Sequence, residues 1–171
     1  YALIKWATML MDNGQESYVR EHLWNHNGAR GGVINWDLAW VVDNWSQDSC
    51  DLWEEIRSND IFWNVMSFRF TLFHAADFAR RMGDSSSASR FDQERQGVEQ
   101  KINNHWNGKF LWQAGNRPTD SAVIHALISF PGFFSFNDDK VAKTIQHNNG
   151  VFCREYKINQ DRAVRIFQQL A

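Results

Sequence analysis

The sequence predicts an all-α chain built as an array of helical hairpins. Three observations carry that expectation. Apolar residues recur at helical spacing through most of the chain, polar Gly- and Asn-rich breaks divide those stretches, and no convincing run alternates with the period of two that a half-buried strand requires. At 171 residues the chain is long enough for one domain with a real core, and its length gives no reason to expect two. Hydrophobic residues at 43% and charged residues at 22% are ordinary for a globular protein.

The opening "ALIKWATMLMDNG" reads as a helix with Leu3, Trp6, Leu10 and Met11 near one face and Asp12 to Gly14 as its stop. No capping residue precedes it, which points to a natural chain that begins earlier. A second helix is expected from about Glu16 to Trp24, closed by "NHNGARGG". The third, "VINWDLAWVVDNW", places Ile34, Leu38, Val41, Val42 and Trp45 on one stripe. A loop carrying "SCDLWEEIRS" follows it. The strongest helix is "DIFWNVMSFRFTLFHAADFARRMG", with Asp60 as its N-cap and Arg80 and Arg81 suited to its negative end.

Another helix starts at the serine run Ser85 to Ser87, with Phe91, Val98, Ile102 and Trp106 along its buried side. "NGKFLWQ" reads as a short strand pair or an extended loop. Asp120 is the expected N-cap of a short helix through Leu127, and "DDKVAKTIQHNN" and "QDRAVRIFQQLA" make two more. Hairpins of this kind stack into a bundle, a solenoid or a closed toroid, and periodicity alone does not choose among them.

A formal charge of -2 with both signs spread along the chain argues against nucleic acid as a partner, because no Lys/Arg block is present to neutralise phosphates. No apolar run reaches membrane-spanning length. Cys50 and Cys153 can pair or stay free, and the six histidines show no spacing that completes a zinc site, so no metal site is expected. Asn44-Trp45-Ser46 fits a glycosylation acceptor.

Nine tryptophans and thirteen phenylalanines are unusual. Large aromatics fill cores, but they also line clefts where sugars stack. The core reading is expected for Trp36, Trp40, Trp63, Trp106 and Trp112, and likewise for His74 and His125 on their apolar helices.

The exception is "DLWEE", where Asp51, Glu54 and Glu55 surround Leu52 and Trp53. On residue chemistry alone it reads either as a solvated acidic loop or as a site holding a carboxylic acid against a stackable surface. Neighbouring carboxylates and an apolar wall both disfavour ionisation, which suits a general acid.

Together "ALIKWATMLMDNG", "VINWDLAWVVDNW", "WSQDSCDLWEE" and "FCREYKIN" resemble the acid-catalyst region of glucoamylases, the inverting glycoside hydrolases that release glucose from starch chain ends. The resemblance is strongest from residue 2 to about 56 and looser to about 159. It implies that residues 1–171 are part of an (α/α)₆ toroidal catalytic domain. It also implies roles for individual residues. Glu54 would be the general acid, Asp51 its tuning neighbour, Leu52 a backbone carbonyl acceptor at the site, Trp53 the pocket wall and Glu55 a grip on a sugar hydroxyl. Arg154 would contact the bound sugar, although Cys153 competes for that position.

The implied substrates are starch, maltooligosaccharides or maltose. The implied parent is a secreted or vacuolar enzyme, monomeric at full length. An inverting mechanism needs a second carboxylate as base, about 6.5–9.5 Å from the acid. The Arg-Tyr-Pro-Glu-Asp-like segment that supplies it in the family is absent here, and nothing local supports Asp120 or Glu155 as a substitute. The chain is therefore expected to be inactive alone. The alternative is a non-catalytic helical module that binds carbohydrate or a protein.

Overall fold

The computed structural model of the chain describes residues 1–25 and 32–156, with side chains of the last helix described through Phe152. The expected terminal helix "QDRAVRIFQQLA" lies outside the described residues. What is described is all-α apart from one ladder of two-residue strands. The chain divides into two compact units, Tyr1–Gln47 with Phe68–Glu99, and Asp48–Ser67 with Gln100–Ala171.

In the first unit, α1 spans Ala2–Asp12 and buries Ile4, Ala7 and Met11. Leu3 and Trp6, expected to face inward, are 38% and 43% exposed. The buried stripe is rotated by one residue, to Ile4, Ala7 and Met11, which at spacings of three and four share one helix face. Asn13 stops the helix, its side-chain amide donating to the Met9 carbonyl at 2.8 Å.

The second helix begins as α2, Glu16–Tyr18, and widens into a π-helical turn over Val19–Trp24 that buries Val19, Leu23 and Trp24. Arg20 in this turn donates through Nη1 to the Met82 carbonyl at 2.6 Å and through Nη2 to Arg81 at 3.0 Å. Those carbonyls belong to the last residue of α4, Phe62–Arg81, and the one after it, where the helix itself supplies no partner.

Helix α3, Val33–Asn44, buries Ile34, Leu38 and Val42 as expected. Trp36 and Trp40 are not core residues, at 47% and 54% exposed. They lie on the face of α3 opposite the buried stripe, which carries the helix's contact. Gly32 precedes α3 and approaches the π-turn so closely that an added Cβ would sit 2.2 Å from the Leu23 carbonyl carbon. Helix α5, Ser85–Asn104, is capped by Asp84, whose carboxylate accepts from the Ser87 N–H at 2.9 Å and from the Ser87 hydroxyl at 2.8 Å. Trp45 donates its indole N–H to Glu94 of α5 at 2.9 Å.

The second unit holds the first turn of α4, the end of α5, α6 (Ser121–Ser129) and α7 (Asp139–Tyr156). Helix α4 starts at Phe62, two residues after Asp60, so Asp60 is not its cap. Its first N–H groups are met from elsewhere. Phe62 donates to the Gln113 carbonyl at 2.9 Å and Trp63 to Gln113 Oε1 at 3.4 Å. Gln113 is fully buried in this role.

Asp60 lies instead beside His105, whose Nε2 is 3.1 Å from the carboxylate and whose Nδ1 donates to the Trp112 carbonyl at 2.9 Å. "NGKFLWQ" is an extended loop with an isolated bridge between Trp106 and Leu111. Leu111 is anchored by the Thr144 hydroxyl of α7, which accepts its N–H at 2.8 Å. Among the described residues no helix is long and apolar enough to cross a membrane.

Two predictions follow from this packing. Gly32→Ala must displace backbone atoms of the π-turn, so it should cost roughly 1–3 kcal/mol, read as a lowered thermal midpoint; an unchanged midpoint would show that the turn yields freely. Burial lowers the pKa of His74, His105 and His147 below the ordinary 6.5, with Asp60 opposing the shift at His105. Protonation therefore favours the unfolded chain, and this stability is complete above the unfolded pKa and lost as pH falls toward the folded values. The midpoint should drop between pH 7.5 and 5.5, and His105→Gln should narrow the drop.

Candidate functional site

The acidic stretch forms the loop of a minimal hairpin within the second unit. Strand β1, Ser49–Cys50, pairs antiparallel with β2, Arg57–Ser58, in the register Ser49 to Ser58 and Cys50 to Arg57. Asn64, on the first turns of α4, fixes β1 by donating to Ser49 Oγ at 2.7 Å and to the Cys50 carbonyl at 2.8 Å. The loop closes where the Asp51 N–H donates to the Ile56 carbonyl at 3.0 Å.

Asp51 organises the turn from inside. It is 5% exposed, and its Oδ1 accepts from the Glu55 N–H at 2.8 Å and the Ile56 N–H at 3.2 Å. The Glu54 N–H donates to the Asp51 carbonyl at 3.1 Å. These bonds hold Glu54 at a φ of 59°, in the left-handed region where a non-glycine residue pays about 1–2 kcal/mol. Glu54 is exposed, and its carboxylate makes no hydrogen bond or ion pair among the described residues. Leu52 is half-buried.

Trp53 is 43% exposed and is tethered at its polar edge, its indole N–H donating to Asp120 Oδ1 at 3.0 Å. His125, also exposed, meets its ring edge-on at 5.8 Å between centroids. This corrects the expectation that His125 belongs to the core. Asp120 is the N-cap of α6, as its position predicts, and the same Oδ1 accepts the Ala122 N–H at 2.7 Å. One carboxylate oxygen thus joins a helix start to the aromatic wall.

Arg117 completes the cluster. Its Nη1 donates to Glu55 Oε2 in a short ion pair, reaches Asp120 Oδ2 at 3.4 Å, and lies 4.0 Å from Asp51 Oδ2. That last oxygen is buried and has no hydrogen-bond partner among the described residues. The Glu55 hydrogen bond is the chief cause of a raised Arg117 pKa, so the guanidinium stays charged. The chain around it is pinned by reciprocal bonds between Ala114 and Arg117, with Arg117 N–H to the Ala114 carbonyl at 3.0 Å.

Trp53, Glu55, Arg117 and Asp120 line an open cleft of about 360 Å³ together with Thr119, Ser121 and Phe152 of α7. Thr119 Oγ1 lies 2.8 Å from His147 Nε2, and Phe110 stacks on the His147 ring at 3.6 Å. The cleft offers two aromatic side chains, Trp53 and Phe152, one arginine paired with two carboxylates, and two hydroxyl groups. Such a lining suits a flat, polyhydroxylated ligand.

The structure therefore brings Asp51, Trp53 and Glu55 together. Glu54 stands on the same turn but is not among the residues lining the cleft. Arg154 belongs to α7 by its backbone, and its side chain lies outside the described residues, as does that of Cys153. Cys50 is exposed, and its thiol has no disulfide partner among the described residues. Asn44 ends α3 with its amide donating to the Trp40 carbonyl at 2.8 Å. Among the described residues no group of three or more His, Cys, Asp or Glu could hold a metal ion. Sequence reasoning missed Arg117, whose one available signal was its spacing of three from the capping Asp120.

The family model described as "Glycosyl hydrolases family 15" matches residues 1–166. Glucoamylase 1 of Rhizopus oryzae is 29% identical over 137 residues, covering 73% of this chain and 22% of that protein. Glucoamylase of Blastobotrys adeninivorans is 26% identical over 170 residues, 91% of this chain and 27% of that protein. Glucoamylase-1 of Schizophyllum commune is 31% identical over 135 residues, 79% and 22% respectively. The chain thus spans about a quarter of the length of these curated relatives. No solved structure matches.

Removing the Asp51 carboxylate leaves two loop N–H groups without their acceptor. Asp51→Ala is expected to cost roughly 1–3 kcal/mol and to speed amide exchange at Glu55 and Ile56, with Asp51→Asn intermediate. Unchanged exchange at both amides would show that the turn is held by something else.

Proposed function

The chain belongs to glycosyl hydrolases family 15, and from that premise we propose that it carries the general-acid side of a glucoamylase active site. The reaction is hydrolysis of terminal α-1,4-linked glucose from the non-reducing ends of starch or maltooligosaccharides, with inversion and no cofactor. The observation that carries this reading is the Asp51-tethered turn. It presents a free Glu54 carboxyl at a left-handed position beside Trp53 and Glu55.

Glu54 gives its proton to the glycosidic oxygen as the bond to the anomeric carbon breaks, while a water attacks from the opposite face. Glu55 accepts a hydroxyl of the neighbouring sugar, Trp53 provides the wall, and Leu52 offers its carbonyl. Asp51 acts through the backbone of the turn. Arg154 is assigned to the bound sugar by family resemblance alone.

The base that accepts the water proton is not supplied by Asp120, whose two oxygens are taken by the α6 cap, the Trp53 indole and Arg117. In this reading the chain alone binds sugar without turning it over. The parent protein is secreted and monomeric in this reading, and Asn44 is its glycosylation candidate.

Incubating the chain with maltose should release no glucose, while maltose should shift its tryptophan emission and Trp53→Ala should abolish that shift. Glucose release that disappears in Glu54→Gln would overturn the incomplete-site reading. Absence of any maltose binding would overturn the sugar-site reading. A binding module without parent activity is the second reading, favoured by the absence of Glu54 from the cleft lining. Fusing the chain to the base-bearing segment of a relative decides between them, because the acid reading requires turnover that Glu54→Gln removes.

A further inference from the structure

We propose that Arg117 is the positioning residue of this cleft, holding Glu55 and the Trp53 wall in register and offering its remaining N–H groups to the same ligand. This deepens the sugar-site reading and rests on it.

The first ground is geometric. A single nitrogen, Nη1, faces three carboxylates contributed by two separate chain segments, Asp51 and Glu55 from the hairpin loop and Asp120 from the start of α6. Without a cation at that point, the three acids would repel one another, and the exposed Glu55 would turn toward water. Arg117 engages Glu55 Oε2, which leaves Oε1 as the acceptor for a hydroxyl. The Glu55 side chain is 56% exposed, so that second oxygen is reachable.

The second ground is an orphaned group. Asp51 Oδ2 is fully buried on a side chain of zero exposure, has no hydrogen-bond partner among the described residues, and has the Arg117 guanidinium 4.0 Å away. A buried carboxylate oxygen that lacks both water and a donor is costly unless a charge compensates it. Arg117 thus couples the stability of the turn to the arrangement of the cleft.

The third ground is the donor inventory. A guanidinium carries five N–H groups in a rigid plane. Nη1 makes the contacts described, while Nε and Nη2 have no partner among the described residues, on a side chain that is 32% exposed. Those donors lie at the cleft that Trp53 walls, where vicinal sugar hydroxyls supply matching acceptors. Lysine has no fork with which to do this.

The test follows the Trp53 indole N–H resonance of the full chain, assigned by its loss in Trp53→Phe, during titration with maltose. Arg117→Ala should move the free resonance, because Asp120 loses its partner, and should weaken maltose binding roughly tenfold or more, the scale of one charge-assisted hydrogen bond. Arg117→Lys should recover only part of that loss. Glu55→Gln should weaken binding similarly, and the double variant should lose little beyond either single one, as expected for residues acting as a unit.

Wild-type affinity and an unmoved resonance in Arg117→Ala would overturn the proposal while leaving the sugar site intact, and so would additive losses in the double variant. Full rescue by lysine would also overturn it, since a point charge would then suffice. Should the unsubstituted chain fail to bind maltose, the sugar-site reading falls. The free resonance then decides whether Arg117 positions Trp53, and an unmoved peak refutes that too. Arg117→Lys and Glu55→Gln keep the test decisive if Arg117→Ala does not fold.

Discussion

The cleft depends on a carboxylate that never reaches it. Asp51 is buried beneath the hairpin loop and spends one oxygen on two backbone N–H groups, those of Glu55 and Ile56. Three residues of the turn are thereby placed at once. Glu54 is held in a left-handed conformation that its own side chain disfavours, Glu55 is turned toward Arg117, and the chain is returned to β2 in register. A charged acceptor is effective here because hydrogen bonds to an ionised group are stronger than neutral ones.

The segment from Gln113 to Asp120 does for the opposite wall what Asp51 does for the loop. Gln113 caps α4 through its carbonyl and its side chain, Ala114 and Arg117 lock a tight turn, and Asp120 caps α6. Helix ends carry unsatisfied groups that must find partners. In this unit, the residues that satisfy them also position Trp53 and Glu55. Fold stability and site geometry are therefore carried by the same hydrogen bonds, so disturbing one disturbs the other.

Much of the helical framework was legible in the residues. The boundaries of α1, α3 and α6 followed from stop signals, apolar stripes and the Asp120 cap, because those are local effects. Helix faces were less legible. Leu3 and Trp6 looked buried and Trp36 and Trp40 looked like core, yet all four are exposed. A stripe of large apolar residues does not say which neighbour arrives, and on α1 it is the small Ala7, beside Ile4 and Met11, that is buried. Asp60 failed as a cap for a related reason. A partner distant in sequence, Gln113, met the α4 N–H groups, and Asp60 was left to His105.

For the site itself, local chemistry in the sequence determined the hairpin loop's acids, the aromatic among them, and the family to which they belong. Their types and contiguous spacing carried that information without any fold. Tertiary structure decided where each of them stands. It buried Asp51, left Glu54 free on a strained turn, and brought Arg117 and Asp120 from more than sixty residues away to Glu55 and Trp53. The physical reason is that charge and burial depend on what surrounds a group in space. The order of residues along a chain specifies that surrounding only once the helices have packed.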